Sequence, residues 1–131
     1  MTKLIEYSEA SDEVRAIYDD IMRTRQTDYI NNFWKTLASH PPGLKHAWEQ
    51  TKRIMSGPGA IDLPTRELIY LAVSIANACE YCIASHTVAA RAKGVNDQVW
   101  GEFMAIVALA GANNKLATGY RIEVDERFKQ P

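Results

Sequence analysis

A chain of 131 residues with 47% apolar and 24% charged side chains suits one domain that buries a core and stays soluble. Its 15 lysines and arginines nearly balance 16 acidic residues, and no basic run is longer than a pair. That excludes the electrostatic footprint of a nucleic-acid or anionic-membrane binder. No run of about 18 apolar residues offers a membrane span. The first six residues hold no apolar stretch of signal-peptide length, so the expected compartment is the cytosol.

In chain order, Ser11 is placed to cap a first helix to about residue 25, with Val14, Ile17, Tyr18, Ile21 and Met22 at helical spacing. Asp19-Asp20 reads as its solvated face. Trp34 and Leu37 mark a short helical piece that Pro41-Pro42 stops. A third helix over about 43–55 runs into Ser56-Gly57-Pro58-Gly59, a strong loop signal. Pro64 suits the first position of a fourth helix carrying Leu68, Ile69, Leu71, Ala72 and Ile75. The pattern over 64–93 stays helical except near Asn77, a natural stop or cap. Gly94 closes the fifth helix, with Arg91 and Lys93 in its last turn. Asn96 or Asp97 caps a sixth, carrying Trp100, Phe103, Met104, Val107 and Leu109 and expected to end near Gly111. The tail allows a short helix over 116–120 and an extended end over 121–124. With no repeat, no low-complexity linker and no other strand pattern, the expected fold is all-α in a single domain, 1–131.

The segment with chemical content is Cys79-Glu80-Tyr81-Cys82-Ile83-Ala84-Ser85-His86, which holds both cysteines of the chain. On a helix, positions three and four apart share a face, so Cys79, Cys82 and His86 lie together. A helix starting near Cys79 aims free N–H groups and its positive end at the thiols, which favours thiolate. One thiol can attack an oxidant and the other can close a disulfide on it. Glu67 joins by geometry. It stands ten residues before Asn77 and His86 nine after it. If the two helices fold back at Asn77, both lie roughly 14 Å from the turn, level with each other. A Glu67–His86 contact could then relay a proton to or from Cys82. In one straight helix they would stand roughly 28 Å apart and no relay would form.

Glu67, eleven residues, Cys79-x-x-Cys82, three residues and His86 together resemble the signature of the alkylhydroperoxidase D (AhpD)-like family, within the carboxymuconolactone decarboxylase-like group. The motif runs over about 63–94 and the helix order around it is similar too. The resemblance implies an all-helical subunit assembled as a homo-oligomer, a homotrimer or homohexamer. It implies hydroperoxide reduction, with Cys82 as the nucleophile that becomes sulfenic acid and Cys79 as resolving partner and proton donor. Glu67 and His86 would be the relay. The family's namesake carries a histidine of that relay where this chain has Tyr81; here Tyr81 is expected as a wall of the site. No bound cofactor is required. The reductant would be an external dithiol, lipoyl or thioredoxin-like. The related decarboxylases generally lack the cysteine pair, which tilts the reading towards thiol chemistry.

Other readings stay open at this level. The same four side chains could ligate zinc, or the cysteines could be inert buried thiols. A c-type haem site is excluded because Ile83, not histidine, follows Cys82. A lyase acting on a small acidic lactone, or an oligomeric redox sensor, would use the same fold. His40 and His46 lack such company and read as surface or packing residues; Trp34, Trp48 and Trp100 read as core or subunit interface.

Overall fold

The computed structural model describes residues 2–129. Their helices are α1 (Asp12–Arg25), α2 (Asn32–Leu37), α3 (Pro41–Thr51), α4 (Leu63–Ala76), α5 (Glu80–Ala92) and α6 (Asp97–Gly119), with short 3-10 turns at Tyr7–Glu9 and Glu126–Phe128. No strand occurs among the described residues, so the fold is all-α. None of these helices is long and apolar enough to cross a membrane. The chain divides into two compact units, Met1–Ala60 and Ile61–Pro131.

In the first unit Ser11 caps α1 as expected, its Oγ accepting the Val14 N–H at 3.3 Å. Val14, Tyr18 and Ile21 then point into a core with Trp34, Leu44 and Trp48. The Trp34 and Trp48 rings meet edge to face at 5.4 Å, a favoured aromatic geometry. Pro41-Pro42 does more than stop α2: Pro41 opens α3, where its missing N–H costs no hydrogen bond. After Thr51 the helix widens into a π-helical turn, Lys52–Ser56. Asp20 corrects the sequence expectation. Instead of lying on a solvated face it accepts from Trp48 Nε1 at 2.8 Å and from Lys52 Nζ at 3.0 Å. The Trp48 hydrogen bond above all, helped by Lys52 and Arg23, holds its carboxyl below the usual range against burial.

The second unit carries the chemistry. Asp62 caps α4 through its carboxylate on the Thr65 N–H, 2.8 Å, so Pro64 is the second helical residue rather than the first. Helices α4 and α5 fold back on each other about Asn77. The turn is tight because the Cys79 N–H reaches Ser74 O at 3.0 Å and the Ala78 N–H reaches Ile75 O at 3.1 Å. This pairing requires a left-handed residue between them, and Ala78 takes it at φ +53°. Leu71, Ala90, Val95 and Phe103 form the core, with Leu68, Ala72, Trp100 and Met104 packed on it. Helix α5 closes the same way on Gly94, at φ +94°. Helix α6 differs from expectation. It runs through Gly111 to Gly119, absorbing the separate helix expected over 116–120. A glycine inside a helix costs only about 1 kcal/mol, and the alanines and leucines around Gly111 are strong helix formers. The true stop is Arg121, left-handed at φ +51°.

Candidate functional site

The fold-back at Asn77 brings α4 and α5 level, and Glu67 meets His86: Oε2 lies 2.7 Å from Nδ1. Glu67 is 3% exposed, so an ionised carboxylate there must be compensated. The second oxygen, Oε1, accepts from Lys93 Nζ at 2.9 Å. Burial pushes the Glu67 carboxyl up, but the hydrogen bonds from His86 and Lys93 and their charges outweigh it. The group is held below the ordinary carboxylate range. A carboxylate only accepts hydrogen bonds, so His86 Nδ1 carries the hydrogen and donates it. That leaves Nε2 as the ring nitrogen able to exchange a proton. The ring is also fixed from its face, where Tyr70 stacks on it at 3.7 Å and 22°.

Cys79 is the N-cap of α5, and its Sγ accepts the Cys82 N–H at 3.3 Å. The sulfur therefore takes the place of the usual capping oxygen at the positive end of the helix. Cys79 and Cys82, with Cα atoms 5.3 Å apart, are joined in a disulfide. Both are partly buried. His86 stands one turn beyond Cys82 on the same face of α5. The site thus pairs a disulfide bond at a helix start with an oriented imidazole one turn further on. Among the described residues no group of three or more His, Cys, Asp or Glu is gathered to hold a metal ion.

The family model of the carboxymuconolactone decarboxylase family matches residues 42–122, well over half of the chain. The chain belongs to the carboxymuconolactone decarboxylase family. It is similar to the solved crystal structure of the alkylhydroperoxidase AhpD core from Rhodospirillum rubrum. The two are 48% identical, with a TM-score of 0.97, and the match covers 100% of this chain and 98% of that one. Within the family the protein is therefore AhpD-like. Among curated proteins none matches.

Of the residues singled out in the sequence of this AhpD-like protein, Cys79 and Cys82 are joined and Glu67 touches His86. Tyr81 lies between the cysteines and is 45% exposed; the ring laid against His86 is that of Tyr70. Glu80 is exposed, so water screens its charge from the sulfurs. His40 and His46 are exposed in the first unit. Sequence reasoning missed Lys93 and Tyr70. Both had a signal. Tyr70 is three residues after Glu67, on its helix face, and Lys93 is seven after His86, two turns along the same face of α5.

Proposed function

We propose that this protein is a thiol-dependent hydroperoxide reductase. In the reduced protein, Cys82 thiolate attacks a peroxide oxygen. An S–O bond forms, the O–O bond breaks, and the alkoxide takes the proton that His86 Nε2 removed from the thiol. ROH leaves and Cys82 becomes a sulfenic acid. The Cys79 thiol then attacks that sulfur; the S–S bond forms, the S–O bond breaks, and hydroxide departs with the Cys79 proton as water. The sum is ROOH plus two thiols giving ROH, water and one disulfide. An external dithiol, lipoyl or thioredoxin-like, reduces it again, and no bound cofactor takes part. A cytosolic setting suits this use, because cysteine pairs there serve catalysis more than structure.

The observation that carries the reading is the Cys79–Cys82 disulfide one helical turn from an imidazole held by a buried carboxylate. Such a carboxylate fixes the tautomer and stabilises the imidazolium that forms during proton transfer. A homotrimer or homohexamer is supported by exposed apolar side chains on α6, Ile106, Leu109 and Leu116 among them. Every residue from Ala108 to Gly119 is exposed, more apolar surface than a monomer normally leaves in water.

The test is single-turnover thiol loss. Reduced protein is mixed with a small organic hydroperoxide and both thiols are counted against time. Fast paired loss is expected in the parent, none in Cys82→Ser, and a rate at least about tenfold lower in Glu67→Gln. Thiols no faster than a free cysteine would defeat the proposal. The family's name keeps a second reading in view, a lyase using His86 as base. It predicts activity on a lactone acid that survives replacement of both cysteines by serine.

A further inference from the structure

Lys93 lies outside the Glu-Cys-Cys-His motif, yet it makes one of the two hydrogen bonds to the buried carboxylate. It stands at the C-cap of α5, seven residues past His86, about 10.5 Å further along the axis. Helical side chains lean towards the N-terminus, and the four-carbon lysine stem follows that lean back to Glu67. The ammonium ends 2.9 Å from Oε1, with the Lys93 side chain 31% exposed.

The charge count explains why this matters. The Glu67 side chain is 4% exposed, and a carboxylate so placed needs a cation. Were His86 the sole partner, the compensating charge could come only from the ring, which favours imidazolium, the form whose two nitrogens are both protonated and cannot accept from a thiol. A lysine ammonium is a permanent charge at neutral pH, so it can balance Glu67 whichever form the ring takes. We propose that Lys93 is a positioning residue whose ammonium neutralises Glu67 and so leaves His86 free to cycle between neutral and protonated forms.

The surroundings fit this assignment. From the α5 side the groups on Glu67 are His86 and Lys93. On α4 itself, Tyr70 stacks on the His86 ring. The α6 side chains packed on this core, Trp100, Phe103, Met104 and Val107, are uncharged. Arg91, two residues before Lys93, is engaged by Asp97 at 2.8 Å and by Val95 O at 3.1 Å.

The inference rests on the peroxidase reading for its consequence but not for its first test. Lys93→Met keeps the stem and removes the charge, while Lys93→Arg keeps the charge; Lys93→Gln replaces the methionine variant if that one does not fold. The Glu67 side-chain carboxyl is followed by 13C NMR in the oxidised protein, without turnover. Its titration is expected at least about one pH unit higher in Lys93→Met, and back at the parent position in Lys93→Arg. In the thiol-loss assay Lys93→Met should be about tenfold slower at neutral pH, with the acidic limb of its profile moved to higher pH and Lys93→Arg restored. An unmoved Glu67 titration overturns the proposal. So does a moved titration with a parent-like rate and pH profile. A moved titration with no fast thiol loss in the parent upholds Lys93 as the counter-charge and overturns the peroxidase reading instead.

Discussion

Replacing Ala78 by glycine should make the oxidised protein more stable, although it removes a methyl group. Ala78 holds φ +53°, where Cβ crowds the following carbonyl at a cost of about 1–2 kcal/mol. The conformation is imposed: only a left-handed residue lets the Ala78 and Cys79 N–H groups reach Ile75 O and Ser74 O at 3.1 and 3.0 Å. Glycine removes the cost but adds about 0.4–1 kcal/mol of chain entropy to the unfolded state. Ala78 is exposed, so little burial is lost. The net gain is about 0.5–1 kcal/mol, a rise of about 2–4 °C in Tm for a chain of this size. Thermal unfolding by circular dichroism on the oxidised parent and Ala78→Gly measures it. Gly94→Ala, at φ +94° with no atom within 4 Å of an added Cβ, is the reverse control and should lower Tm. An Ala78→Gly Tm equal to or below that of the parent would refute the backbone account of the turn.

Leu71 is fully buried, so Leu71→Ala should cost about 2–5 kcal/mol in urea unfolding. Glu67 adds a pH dependence whose sign follows from its lowered folded value. Its stabilisation is present above the ordinary carboxyl value of 4.5 and is lost as pH falls through the folded value. Stability measured from about pH 6 down to about pH 3 should fall more steeply in the parent than in Glu67→Gln, where no carboxyl titrates.

Much of the site was legible because it obeys two simple counts. The helical period places Cys79, Cys82 and His86 on one face, and equal distances from Asn77 place Glu67 opposite His86; the 2.7 Å contact follows. Lys93 escaped because counting Cα heights sets it well beyond Glu67. Only the backward lean of its long side chain closes the gap. Helix ends were legible where a cap or glycine marked them, as at Ser11 and Gly94. The ends near residue 25 and at Asn77 were legible too, although Gln26 and Ala78, which take the left-handed positions there, are not residue types that signal it; the end at Arg121 was hidden. Gly111 misled for the opposite reason: a glycine in an alanine-rich stretch does not by itself end a helix, and α6 passes through it. Asp20 looked solvated because its partners, Trp48 and Lys52, lie 28 and 32 residues away, beyond any local pattern.

Hydroperoxide reduction by this site requires that Cys82 take an oxygen atom from the peroxide. The direct measurement uses Cys79→Ser, which cannot close the disulfide, reduced and mixed with one equivalent of an organic hydroperoxide. Intact-mass spectrometry follows the protein with and without a sulfenic-acid-trapping diketone. One added oxygen is expected, trappable and located on Cys82, appearing as fast as the parent forms its disulfide. A protein that stays at its starting mass, or gains oxygen no faster than a free cysteine, would contradict it.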